Sequence, residues 1–129
     1  MEAIIVEDSE AAAALLRSYL KKMGYKKIQI GYNAKQGLKI LRDAINNPMS
    51  AAKLVFVDWV MPQMDGLDFF KAAQEFADAE THFIMVTAKS DKASVKNAIT
   101  AGFHGYLVKP YTQDSLAKMI NIVRGKLAL

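Results

Sequence analysis

Four stretches of this sequence each end an apolar run on a residue able to do chemistry. Ala3-Ile4-Ile5-Val6 leads into Glu7-Asp8, and Leu54-Val55-Phe56-Val57 into Asp58. Phe83-Ile84-Met85-Val86 leads into Thr87, and Gly105-Tyr106-Leu107-Val108 into Lys109. Three carboxylates brought together repel one another and call for a cation between them. Hard oxygen ligands without histidine or cysteine select Mg2+ or Mn2+. The compact ammonium of Lys109 suits a phosphoryl oxygen, and the Thr87 hydroxyl can donate to another. A carboxylate can also be the nucleophile, as in aspartyl-phosphate chemistry. In-line attack by Asp58 on a phosphoryl group, with metal and Lys109 absorbing charge, uses every member of the set. In such a transfer the protein supplies mainly position and electrostatics.

That chemistry requires elements that bring the four run-ends together. Continuous apolar runs over 3–6, 54–57, 83–86 and 105–108 predict strands buried on both faces of a parallel sheet. Residues 27–32 alternate and predict a weaker strand. Between the strands the period becomes helical. Ser9 caps a helix with Leu15, Leu16, Tyr19, Leu20 and Met23 on one face, closed by Gly24. Asn33 with Gln36 predicts a capping box before Ala34, Leu38, Leu41 and Ile45. Asp65 is read as the N-cap of a helix bearing Leu67, Phe70, Ala73, Phe76 and Ala77. Ser90-Asp91 opens a helix with a thin stripe, Val95, Ala98 and Ile99, closed by Gly102. Thr112 caps a last helix with Leu116, Met119, Ile120 and Val123. Five strands alternating with five helices imply an α/β fold with helices on both faces and right-handed crossovers. Its functional crevice lies at the carboxyl ends of the strands, where Glu7, Asp8, Asp58, Thr87 and Lys109 fall.

The 129 residues fit one domain, 1–129, with a core that needs no staples. The absence of cysteine excludes disulfides, thiol catalysis and cysteine-ligated zinc. No apolar run reaches the roughly 18 residues of a membrane helix, and no signal-like segment precedes Ala3, so a cytoplasmic location is expected. The net charge of +4 is spread over scattered lysines. The one cluster, Lys21 to Lys27, falls where a helix should end, which argues against nucleic acid as a partner.

Taken as a set, Val6-Glu7-Asp8, Asp58 with Met61-Pro62-x-Met64-Asp65-Gly66, Thr87-Ala88 and Tyr106-Leu107-x-Lys109-Pro110 resembles the receiver domain of two-component response regulators. The single-domain chemotaxis type is the most similar. The resemblance spans essentially all of the chain. It implies a flavodoxin-like doubly wound sheet of strand order 2-1-3-4-5, with a cis Lys109-Pro110 bond. Asp58 would accept a phosphoryl group from a histidine kinase or phosphotransfer protein. Mg2+ would be bound by Asp8, Asp58 and the Val60 carbonyl, with Glu7 acting through water. Lys109 would pair with Asp58 and then with the phosphoryl group. Thr87 would swing toward that group and Tyr106 would turn inward. Val60 and Lys89, each two residues beyond a site residue, would tune phosphate lifetime, and an apolar Val60 predicts slow self-dephosphorylation.

The resemblance makes the chain a signalling module, not an enzyme. Output is expected by contact through the helix over 90–102, the Tyr106 strand and the last helix. The target would be a flagellar switch or another signalling protein, and the chain a monomer or weak dimer with no membrane partner. The rival reading, an aspartyl-phosphate phosphatase of the haloacid dehalogenase type, needs a second Asp two residues after the nucleophile, where this chain has Val60. A receiver-like domain that is never phosphorylated is a further alternative, against which the intact acid set argues. Alone, Asp58 could be a loop cap, Thr87 a strand-end hydroxyl and Tyr106 a core residue. His82 and His104 lack evident partners and read as structural, and the seven methionines as core filler.

Overall fold

A computed structural model describes residues 2–49, 53–88 and 92–125. Its elements alternate as expected. The strands are β1 (Glu2–Val6), β2 (Ile28–Gly31), β3 (Lys53–Asp58), β4 (Thr81–Thr87) and β5 (Gly105–Val108). The helices are α1 (Glu10–Lys22), α2 (Ala34–Asn46), α3 (Gly66–Ala73), α4 (Lys92–Ala101) and α5 (Gln113–Val123). All strand pairs are parallel, as the apolar runs predict, and the order is β2-β1-β3-β4-β5, as the resemblance implies. Successive side chains on a strand point to opposite faces, so the sheet feeds two cores. Ile4, Val6, Val55, Val57, Phe83 and Met85 pack with Leu41, Phe69, Phe70, Ala98 and Phe103 on the face covered by α2, α3 and α4. Ile5, Leu54, Phe56, Ile84 and Val86 pack with Leu16, Leu20, Leu116 and Ile120 of α1 and α5.

The caps fix where each helix leaves the crevice. Ser9, Asn33, Asp65 and Thr112 each accept a backbone N–H three residues on. The α2 start departs from the expected box, because the Gln36 side chain accepts from the N–H of Tyr32 at 2.8 Å and not from Asn33. Thr112 forms a full capping box with Ser115. Gly24 and Gly102 close their helices at positive φ, as read.

Several helix faces differ from the periodic reading. Leu15 is 47% exposed, and Ala13 occupies the buried position on α1. Ala13, Leu16 and Leu20 form the buried stripe at helical spacing, and Leu15 falls beside that stripe, toward solvent. Regular α3 ends at Ala73, short of Phe76 and Ala77, and Phe69, outside the expected stripe, is wholly buried. β2 is half-buried along its first three residues, without alternation, because it is an edge strand flanked by helices on both faces. Only Ala98 of α4 is buried, matching its thin stripe. The Ser90-Asp91 opening and Lys89 lie outside the described residues.

Candidate functional site

The parallel register brings the strand ends to one edge. Val6 lies opposite Val57, Asp58 opposite Val86, and Thr87 opposite Val108. The residues following or ending these strands therefore converge, as the sequence predicts. Glu7, Asp58 and Thr87 are buried, whereas Asp8 is exposed. Carboxylate oxygens of Glu7, Asp8 and Asp58 lie within 4.8 Å of one another. Gly66 lets α3 start against this edge. Its N–H donates to the Trp59 carbonyl at 2.9 Å, and a Cβ there would stand 2.8 Å from the Asp58 carbonyl oxygen.

Lys109 arrives from the opposite side. The Lys109 N–H donates to the Thr87 carbonyl at 2.7 Å, and the Lys109-Pro110 bond is cis. Its Nζ lies 2.6 Å from Glu7 Oε1 and 3.8 Å from Asp58 Oδ1. The resemblance pairs Lys109 with Asp58, but in this structure Glu7 is the closer partner. The reason is electrostatic. Two buried carboxylates share one cation, and the strong charge-assisted bond goes to one of them.

The other carboxylate keeps the unrelieved cost. Burial, followed by the hydrogen bond and charge of Glu7, raises Asp58 to about 7; Lys109 and the Val60 N–H oppose this only in part. Burial also pushes Glu7 up, but hydrogen bonds from Lys109, Asp58 and the Ser9 N–H outweigh it and hold Glu7 low. Of the two acids, Asp58 is therefore the one whose neutral form the site favours. A divalent cation bound among these oxygens would displace the Asp58 proton, and the hard, all-oxygen donor set suits such an ion.

Tyr106 and Val60 face outward, 37% and 74% exposed respectively. Trp59 stands edge-on to Phe103 at 6.1 Å, linking the residue after Asp58 to the turn between α4 and β5. The sequence reading missed Tyr111. Its ring packs edge-on to Tyr19, and it shares a small cavity with Glu7 and Asp58. Burial, then the charge of Glu7, pushes its hydroxyl up to about 12. Its position two residues beyond Lys109 was the available signal. His82 and His104, read as lacking partners, contact each other with ring centroids 4.9 Å apart.

The pattern that describes the response regulator receiver domain matches residues 3–121. The chain is a member of that family. This receiver is 30% identical over 126 residues to the chemotaxis protein CheY1 of Helicobacter pylori, covering 97% of this chain and 98% of the relative. It is 31% identical over 128 residues to a probable chemotaxis protein CheY of Rhizobium etli, covering 98% and 95%. Among solved structures, a chain of the CheX-CheY-BeF3-Mg+2 complex from Borrelia burgdorferi superposes with a TM-score of 0.84 at 22% identity, covering 96% of this receiver and 89% of that chain. Vibrio cholerae CheY4 superposes at 0.80 with 22% identity, covering 95% and 97%. Receivers of the CheY type are signalling modules whose state depends on phosphorylation, and they bind Mg2+ at an acidic pocket. The Glu7-Asp8-Asp58 cluster is a group of acids that could hold a metal ion, and no described helix is long and apolar enough to cross a membrane.

Proposed function

We propose that this receiver, a single domain over 1–129, is a cytoplasmic switch that accepts a phosphoryl group on Asp58 from the phosphohistidine of a kinase or phosphotransfer protein. The observation that carries the reading is the charge arrangement at the strand ends. Asp58 is buried among acids, with one cation within 4 Å of it. An Asp58 oxygen attacks phosphorus as the phosphorus–nitrogen bond to the donor imidazole breaks. The nucleophile must be ionised, so the proton that Asp58 holds near neutrality has to leave first. Mg2+ (or Mn2+), held by Asp8, Asp58 and the Val60 carbonyl with Glu7 through water, would offset the charge on the phosphoryl oxygens. Lys109, poised between Glu7 and Asp58, moves its charge onto the new phosphoryl group. Thr87, buried at the end of β4, donates to another phosphoryl oxygen.

In this reading, output passes through the α4-β5-α5 face to a protein partner. That face exposes Ile99 on α4, Tyr106 on β5 and Ile122 on α5. Its first helix has one buried residue, so differential contact worth a few kcal/mol suffices to shift it. The test uses Trp59, the sole tryptophan, whose ring lies next to the site. Its fluorescence is expected to change on adding Mg2+ and again on adding beryllofluoride, and the second change is expected to be absent from Asp58→Ala. Silence in the parent, or a beryllofluoride response that survives Asp58→Ala, overturns the reading.

A further inference from the structure

A second arrangement of titratable groups lies at the other end of the sheet, where β5 joins β4. The ladder between these strands begins at Ile84 opposite Gly105. One residue earlier, the His104 side chain takes the place of a strand backbone. The His104 N–H donates to the Phe83 carbonyl at 2.9 Å, as a ladder bond would. The returning bond runs from the Phe83 N–H to the ring Nδ1 of His104, also 2.9 Å. Phe83 is buried, so its N–H has no ready substitute acceptor in water.

We propose that His104 is a proton-operated latch on the first step of β5. A neutral imidazole whose proton is on Nε2 accepts the Phe83 N–H at Nδ1. An imidazolium carries protons on both nitrogens and accepts nothing. Protonation therefore sets two donors face to face, and the ring must release Phe83. Space for it exists. His104 borders a cleft of about 320 Å3 that is also lined by Gln74, Asp78, Thr81 and Gly102.

The surroundings decide which state is held. From β4, the His82 ring sits 4.9 Å away, so an imidazolium at His104 faces a second imidazole. From the segment before β4 comes Asp78, the one carboxylate among the described residues that line the cleft. It already accepts from the Thr81 hydroxyl at 2.8 Å and from the Glu80 N–H at 3.1 Å. From α3 comes the neutral Gln74. The end of α4 contributes Ala101 and Gly102, without charge, and α5 packs on Gly105 with Met119 and Val123. Burial, then the neighbouring His82, lowers the His104 pKa, and a ring nitrogen that accepts the Phe83 N–H favours the neutral form as well. The latched state therefore holds at neutral pH, and Asp78 receives the ring when it is released. Acidification then loosens the strand that carries Tyr106. That consequence for output rests on the proposed reading of the face; the latch itself does not.

An amide NMR titration of the 15N-labelled chain from pH 8 to pH 5, without a phosphoryl donor, tests the latch independently of the phosphoacceptor reading. The Phe83 amide proton is expected to lose its hydrogen-bonded downfield shift with the same midpoint as the His104 imidazole, below the ordinary histidine value. In His82→Phe that midpoint is expected to move up. In His104→Gln, whose amide carbonyl accepts without titrating, the Phe83 shift is expected to be flat with pH. A Phe83 amide that stays unchanged while His104 titrates overturns the latch. So does a pH response that persists unaltered in His104→Gln.

Discussion

The two ends of the sheet treat buried charge in opposite ways. At the amino end, Glu2 and Lys53, both 3% exposed, lie opposite each other in register on the central strands, and Lys27 Nζ sits 3.1 Å from Glu2. There the acid is matched by the Lys27 ammonium. At the carboxyl end, Glu7, Asp8 and Asp58 gather around Lys109, and Asp58 is left protonated up to about pH 7. One end resembles an ordinary structural ion pair. The other stores an unfavourable field that a divalent cation would relieve. Proteins tolerate such imbalance where it does chemistry.

The largest expected effect comes from removing Lys109, the cation that the described residues bring to the unbalanced end. Lys109→Ala leaves Glu7 buried without its 2.6 Å partner, and breaking such a pair is expected to cost about 2 kcal/mol in metal-free buffer. Urea denaturation with EDTA measures it. Since the variant raises acid repulsion, added Mg2+ is expected to recover more stability than in the parent. A loss at the level of an exposed surface pair would show that Lys109 does not neutralise the pocket.

Asp58→Asn is the opposite manipulation and should be the next largest. The Asp58 pKa rises on folding from an ordinary value of 3.8 to about 7. The folded state thus binds the proton more tightly, and stability falls as pH rises from about 4 through 7. Removing the charge is expected to stabilise the metal-free receiver at pH 8 by on the order of 1 kcal/mol, discounted because the site is partly hydrated. The gain is expected to vanish near pH 4, where the parent is already neutral at this position. Thermal melts at the two pH values, with EDTA, read the sign directly. A variant that is less stable at pH 8 would refute the imbalance.

The same comparison explains which parts of the molecule were legible in sequence. Parallel strands covered on both faces must be apolar throughout, so each ends visibly at its first polar residue. The crevice residues Glu7, Asp58, Thr87 and Lys109 are those residues, and parallel pairing alone brings them together. Helix caps were legible because a side-chain acceptor three residues before its donor is a local feature. What was missed depends on distances across the fold. Lys109 chooses Glu7 over Asp58 by a placement that spacing does not encode. Tyr111 joins the site because the chain turns back after Pro110. Leu15 and Phe69 differ from the expected faces because apolar residues at adjacent positions left the phase of the stripe open; the buried sets are Ala13, Leu16 and Leu20 on α1 and Gly66, Phe69, Phe70 and Ala73 on α3. His82 and His104 become neighbours only through the β4–β5 register.

At the balanced end, neutralising an acid should have the reverse sign. Glu2→Gln deprives Lys27 of its carboxylate and is expected to destabilise by about 1 kcal/mol at pH 8, measured beside Asp58→Asn. Stabilisation by both substitutions would mean that the two ends do not differ.

The smallest effect concerns the phosphorylated state and leaves folding nearly untouched. Val60 is 74% exposed in the loop after Asp58, and exposed substitutions of this kind change stability by about 0.5 kcal/mol or less. An isopropyl group cannot hydrogen-bond a water approaching phosphorus, whereas an amide at this position can. Val60→Asn is therefore expected to speed loss of the phosphoryl group by roughly threefold to tenfold, about 1 kcal/mol in barrier. The decay of Trp59 fluorescence after removal of a small-molecule phosphodonor gives the rate. If the rate stays at the parent's value, the exposed side chain at residue 60 takes no part in setting the lifetime of the phosphoryl group.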